Sequence, residues 1–192
     1  MLYRYHRLPP ALKGLLLMLV ATAAFASMHA AIRHASTGLH PFEIAFFRNF
    51  FMLILLLPVL QRVGFGVLRT RHLGLYALRG ALNTVAMLSF FFALSITPLV
   101  QVTALGFSAP LFATLGAALI LGEVVRMRRW VAMIIGFAGT LIILRPGLVE
   151  IDTGSMLVLF SSAMWALALL CIKKLSATES SVAITAYMAI FM

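Results

Sequence analysis

Acidic residues are scarce in this sequence: 5 Asp and Glu stand among 192 residues, against 15 Lys and Arg. Charged residues of both signs make up only 10% of the chain, whereas a soluble domain carries roughly a quarter. So little ionic surface argues against a water-facing globular fold. There is a single cysteine, Cys171, which excludes an intramolecular disulfide and any multi-cysteine metal site. Within its apolar run Cys171 reads as a small packing residue. No pair of histidines stands with a carboxylate at metal-ligand spacing, so neither a metal nor a cofactor is expected. The net charge of +10 would suggest nucleic acid in a soluble protein. Here the basic residues form short clusters between apolar runs, with no interleaved aromatic stripe, and nucleic acid is not an expected partner.

What the chain does have is apolar length. It is 63% hydrophobic, with a mean hydropathy of +1.08. The apolar residues come in runs of about twenty, enough to cross roughly 30 Å of hydrocarbon. Expected spans are 14–33, 42–60, 73–95, 99–121, 130–144 and 155–172, with a seventh beginning near Ser181 and still apolar at Met192. Trp130 reads as an interfacial anchor of the short fifth span and Arg145-Pro146-Gly147 as its stop. The lipid bilayer is therefore the first expected partner.

Loop charge gives an orientation. With the N-terminus inside, the inner segments hold Arg4, Arg7, Lys13, Arg62, Arg69, Arg71, Arg126, Arg128, Arg129, Lys173 and Lys174. The outer ones hold only Arg33 and Arg145, together with Glu150 and Asp152. This positive-inside bias predicts a multi-pass inner-membrane protein with a cytoplasmic N-terminus. A cleaved signal peptide is the competing reading of the first span, since Ala21-Thr22-Ala23 and Ala24-Phe25-Ala26 have the small-residue pattern of a cleavage site. The apolar stretch, however, runs on to Ile32 and a basic end.

An internal repeat weighs further against cleavage. At a shift of 140 residues, Gly14, Leu17, Leu19, Ala23, Ala26, Ile32 and Ser36 fall on identical residues at Gly154, Leu157, Leu159, Ala163, Ala166, Ile172 and Ser176. Phe25 meets Trp165, and Arg33-His34 meets Lys173-Lys174. A repeat of five spans is odd, so its second copy enters the membrane in the opposite sense. The expected fold is an all-α polytopic membrane protein built on an inverted repeat of five-helix units. It comprises a tail over 1–13, a first repeat over 14–145 and the start of a second over 154–192, giving six complete spans and part of a seventh. A second copy of similar length would carry the protein past Met192, so truncation is expected.

Ionisable and amide groups inside such spans are costly, and each needs a partner or a cavity. Arg48 lies about two turns into the second span and Arg79 about two turns into the third. Snorkelling or helix-tying is the simpler role for both. Arg79, Asn83, Met87 and Phe90 share one helical face, a stripe that suits a planar or zwitterionic solute. The alternative for Asn83 is an interhelical hydrogen bond. Pro110 lies near the middle of the fourth span, where it is expected to bend the helix. Gly106, Ser108 and Ala109 give that bend room, and Ala109, Ala113 and Ala117 form a small-residue stripe for close packing. Glu123 ends the same helix against its dipole. Arg126, Arg128 and Arg129 are its expected partners in a gating or loop-locking bridge, with proton coupling as the second role.

An enzyme is not expected. Gly106-Phe107-Ser108-Ala109-Pro110 resembles half of a G-x-S-x-G elbow, but the second glycine is missing and the elbow belongs on a strand-to-helix turn.

The stretch TALGFSAPLFATLGAALILGEVVRMRRWVAMIIGFAGTLIILRPG resembles the EamA domain of the drug/metabolite transporter superfamily. Its carriers are the proline of the fourth span, LGE at that span's end, and a glycine-rich fifth helix leading into LIILRPG. Upstream, HPFEIAFFRNF and LRGALNTVAMLSFFFALSITPL resemble the second and third spans, so the resemblance covers essentially the whole chain. It implies ten helices in two repeats and secondary transport of amino acids, vitamins, nucleotides or drugs by alternating access. The pathway would run near the third and fourth helices of each repeat. Arg48, Pro110 and Glu123 match family-pattern positions; Arg79, Asn83 and Trp165 rest on depth and face. The chain departs from the pattern in lacking second copies of the third and fourth helices, which leaves a non-transporting membrane scaffold or a transporter remnant as the alternative.

Overall fold

The computed structural model of the chain describes residues 9–144 and 152–192, and every regular element in them is helical. Arg4, Arg7, Arg145, Pro146, Gly147 and Glu150 lie outside the described residues.

Helix α1 spans Pro10–Ala35 and opens with a proline in its first turn, where the missing N–H costs nothing. This single helix passes through both alanine-rich triplets without a break. Helix α2 spans Pro41–Val63 and starts on a reciprocal cap, with the Glu43 carboxylate accepting from the His40 N–H and His40 Nδ1 from that of Phe42. A short 3-10 turn, Phe65–Leu68, leads to α3, Leu73–Ile96. Helices α4 (Leu99–Gly106), α5 (Ala109–Ile120), α6 (Met127–Leu144), α7 (Thr153–Leu175) and α8 (Ser181–Phe191) complete the order.

Among the described residues, five stretches are long and apolar enough to cross a membrane: Ala11–Ala35, Pro41–Val63, Leu73–Ile96, Leu99–Ile120 and Thr153–Leu175. They coincide with the first, second, third, fourth and sixth expected spans. The fifth forms a helix, but Arg128 and Arg129 occupy its first turn and shorten its apolar part. The expected part of a seventh span is an apolar helix of 11 residues, Ser181–Phe191.

The fourth span corrects one expectation. It does not bend within one helix; it breaks at Phe107 and Ser108, where N–H groups bond three residues back, to Ala104 and Leu105. Pro110 then sits in the first turn of α5, a position with no helical N–H to lose.

The packing inverts that of a soluble core. The buried set is rich in Ala, with Ser108, Ser155, Ser161, Ser162, Thr97 and Thr114 alongside, while Leu17, Met18, Val20, Leu55, Leu119 and Ile142 face outward. Lipid removes the hydrophobic drive between helices, so small residues and interhelical hydrogen bonds must hold them together. The central contact is α3 against α7. Ser161 Oγ donates to the Ala86 carbonyl at 2.6 Å, and Gly154 brings the α7 backbone directly onto the Thr97 side chain. The alanine stripe of α5 faces α7 as well; a β-carbon at Gly116 would stand 2.8 Å from Leu170 Cδ1.

Each end of the bundle is tied by polar contacts. At one end Glu123 pairs with Lys173 and Thr70 Oγ1 donates to Glu179 Oε1 at 2.6 Å. At the other, Arg33 donates to the Leu94 carbonyl and Thr97 Oγ1 to Asp152 Oδ2 at 3.1 Å. The first end carries Arg62, Arg69, Arg71, Lys173 and Lys174 on segments flanking these ties, and is the basic end.

Candidate functional site

Helix α3 carries the candidate face inward. Arg79 is 5% exposed. Its Nη1 donates to the Ile184 carbonyl at 2.7 Å and its Nη2 lies 3.3 Å from Met188 Sδ, both on α8. Its Nε is buried without a partner among the described residues. No carboxylate pairs with this guanidinium among the described residues. One turn on, Asn83 Nδ2 donates to Met192 Sδ at 2.8 Å, a weak acceptor for an amide.

Helix α2 brings a second polar pair to the same region. Asn49 is buried, and its Nδ2 donates to the Met192 carbonyl at 3.3 Å and lies 3.9 Å from Met87 Sδ. Arg48 donates to Asn49 Oδ1 at 3.3 Å and lies 5.5 Å from the centre of the Phe91 ring, a cation–π distance. Asn49 and Asn83 thus share Met192, while Arg79 is held by α8 and Arg48 by Asn49 and the Phe91 ring. Cationic groups at membrane depth with no acid to balance them are costly.

The remaining candidates lie elsewhere. Phe90 sits on the same face about 16 Å along the helix from Arg79, with its ring 5.1 Å from that of His29 and its edge against Gly106. Ser108, at the break between α4 and α5, is 2% exposed, and its hydroxyl has no partner among the described residues. Pro110 and Trp165 point outward. The structure therefore groups Arg79 with Asn83, places Arg48, beside Phe91, and Phe90 farther along α3 toward Ser108, and leaves Pro110 and Trp165 apart from both groups.

Glu123 corrects another expectation: its partner is Lys173 on α7, not Arg126, Arg128 or Arg129. Gly122 adopts a positive φ of 65°, which only glycine takes readily. That turn, closed by the Glu123 N–H on the Ala117 carbonyl at 3.2 Å, throws the carboxylate across to α7 before the arginines begin. The glycine before the glutamate in LGE thus has a geometric role.

Sequence reasoning missed three groups. Asn49 was signalled by an amide beside Arg48 in an apolar run. Tyr76 and Tyr187 stack with centroids 4.3 Å apart and planes 29° apart, a pairing between distant segments with no local signal. Thr97, Gln101, Asp152 and Ser155 form the other group. Gln101 Nε2 donates to Ser155 Oγ at 2.7 Å, and Ser155 donates through Oγ and N to Asp152 Oδ1 at 2.6 and 2.8 Å. Only the D-x-x-S helix cap was visible locally.

Those hydrogen bonds from Ser155, with a further one from Thr97, hold the Asp152 carboxyl below its ordinary range. A carboxyl depressed on folding contributes stability that is fully present above its unfolded value, near 4, and lost as pH falls through the folded value. The melting temperature of the purified chain should therefore be insensitive to this group between pH 7 and 5 and fall below about pH 4. Asp152→Asn, which keeps the cap, should flatten that acid limb. An unchanged acid limb in the variant would show that Asp152 is not its source.

The sequence profile of the EamA-like transporter family matches residues 12–145. The chain is 35% identical over 175 residues to the S-adenosylmethionine uptake transporter of Rickettsia bellii, covering 91% of this chain and 59% of that protein. It is 35% identical over 177 residues to the riboflavin transporter of Brucella anthropi, covering 91% and 62%. It is 29% identical over 134 residues to the pseudopaline exporter of Pseudomonas aeruginosa, covering 69% and 46%. The chain thus spans about three fifths of the length of the first two relatives. No solved structure matches it.

Proposed function

The chain belongs to the EamA-like transporter family, and from that premise we propose that it forms the solute-handling part of a secondary transporter of small metabolites or drugs. The solute class is amino acid, vitamin or nucleotide-like, and transport is by alternating access across the inner membrane with the N-terminus cytoplasmic. The relatives are named for S-adenosylmethionine, riboflavin and pseudopaline, so kinship gives a class of solute and not the molecule.

The observation that carries this reading is Arg79, a buried guanidinium with no carboxylate, on the same face as Asn83 and Phe90. Arg79 attracts an anionic group, Asn83 supplies the polar contact near the midplane, and Phe90 forms an apolar wall toward the break at Ser108 and Pro110. Trp165, the repeat counterpart of Phe25, faces outward from α7 and stands apart from this pathway. Arg48 holds Asn49 in place, and Glu123 ties the basic end, with proton coupling as its second role.

Domain organisation follows the repeat: a tail over 1–13, a first five-helix unit over 14–145 and the start of an inverted second unit over 154–192. Local geometry supports it. The Ser36 N–H donates to Ile32 at 2.9 Å and that of Ser176 to Ile172 at 2.8 Å; Leu39 donates to Ala35 at 3.0 Å and Glu179 to Leu175 at 2.8 Å. The next helices start at Pro41 and Ser181, again 140 residues apart.

Cysteine accessibility tests the pathway. In a Cys171→Ser background, Asn83→Cys should react with a small membrane-impermeant thiol reagent, and riboflavin or S-adenosylmethionine as trial solutes should slow it. Val85→Cys, on the exposed side of α3, should stay inert in lipid. The reverse pattern would place the pathway on the wrong face. Inertness at both positions in a folded protein would leave only helix packing, and with it the scaffold reading.

A further inference from the structure

At the basic end, the linker between α2 and α3 meets the turn between α7 and α8 in a crevice of about 380 Å³. It is lined by Arg69, Thr70, Arg71, His72, Thr178 and Glu179. The geometry points to this crevice as a binding site for a phosphate-type oxyanion, separate from the solute pathway and independent of the transport reading.

Three features converge there, each lacking a negative partner. Neither the Arg69 nor the Arg71 guanidinium makes a hydrogen bond or ion pair among the described residues, although a carboxylate lies in the same crevice. Glu179 is instead engaged by the Thr70 hydroxyl, which in turn accepts from the His72 N–H at 3.0 Å. That chain of bonds fixes the crevice wall and leaves both guanidinium groups unspent. The third feature is α3 itself, which opens beside the crevice at Leu73 with no side-chain cap and no acidic residue in its first turn. Its first N–H groups and its dipole therefore favour an anion. Gly74 adds no side chain over that turn, and a β-carbon there would meet nothing within 4 Å.

Planar guanidinium forks match the oxygens of a phosphate, which accepts two parallel bonds from each. The crevice lies where two membrane-length helices end, the depth at which lipid phosphates sit. The oxyanion has two sources, an anionic lipid headgroup or soluble inorganic phosphate, and the chemistry is shared.

The test is native mass spectrometry of the purified chain in detergent with added phosphatidylglycerol, phosphatidylcholine or inorganic phosphate. Phosphatidylglycerol should be retained in preference to phosphatidylcholine, whose phosphate is balanced by its own cation. Arg69→Ala with Arg71→Ala should lower retention on the order of thirtyfold, from the usual contribution of two interfacial cations. Arg126→Ala with Arg128→Ala removes the same charge elsewhere and should leave retention unchanged. Glu179→Gln keeps an acceptor for Thr70 but removes the negative charge, so it should raise retention. An unfolded protein cannot give opposite responses to the two crevice changes. Displacement of the lipid by millimolar inorganic phosphate would assign the site to the soluble ion, and persistence would assign it to lipid. Equal retention of the two lipids by the unsubstituted chain, or full retention by the Arg69/Arg71 variant, would overturn the proposal.

Discussion

Gly154→Ala should destabilise the bundle by about 1–3 kcal/mol, seen as a lower unfolding midpoint in detergent. The new β-carbon would fall on Thr97 Oγ1, with Thr97 Cβ at 3.0 Å and Ile96 Cγ1 at 3.3 Å. Thr97 cannot yield easily: it is fully buried, stiff about its first torsion, and bonded to Asp152. Relief therefore requires α3 and α7 to separate, which also strains the Asp152–Ser155–Gln101 bonds at that end. The helix-propensity gain of alanine offsets at most about 1 kcal/mol. Gly14 provides the control. It occupies the equivalent place in the repeat, but a β-carbon there meets nothing within 4 Å, so Gly14→Ala should be neutral or slightly stabilising. Equal effects of the two substitutions would show that the close approach of α3 and α7 does not hold in solution.

Arg79→Met should separate function from stability. A cation in hydrocarbon costs about 2.5–3.5 kcal/mol, and no carboxylate offsets it here. Its main acceptor, the Ile184 carbonyl, lies inside α8, where the helical N–H four residues on already serves it. Methionine keeps most of the length and packs beside Met188 and Cys171, so the melting temperature should hold or rise. On the proposed transport reading, uptake of an anionic solute should fall by more than about tenfold, since a charge-assisted contact of roughly 1.5–3 kcal/mol is lost. If the protein instead melts earlier and residual uptake tracks the folded fraction, Arg79 is a helix tie and not a solute contact.

These two expectations draw on different kinds of information. Arg79 stood out in the sequence because a guanidinium within an apolar run violates the ordinary cost of burial, and Asn83 and Phe90 joined it by helical spacing. The spans themselves were legible for the same reason: run length, prolines at helix starts and basic residues between runs are local signals. Gly154 was visible only as half of a repeated pair. Nothing in the repeat distinguished it from Gly14, yet one glycine is pressed against Thr97 and the other faces open space.

The errors have the same origin. A proline in an apolar run signals interruption, but whether the helix bends or breaks and restarts depends on the turns before it; here Phe107 and Ser108 tighten and Pro110 opens a new helix. Glu123 was matched to the arginines nearest in sequence, whereas Gly122 turns it toward Lys173, 50 residues away. The Tyr76–Tyr187 stack, the Asn49–Met192 contact and the crevice between two distant linkers likewise join segments more than a hundred residues apart.

By itself, then, the sequence determined that lipid is the solvent, where most helices begin and end, and which buried polar groups demand a partner. Each of these follows from the free energy of moving a residue out of water, a property of the residue and its near neighbours. Which partner each group finds was decided by the tertiary structure. In a bilayer that choice rests on how closely two backbones can approach, and a glycine facing a threonine acquires that meaning only when α3 and α7 are set side by side.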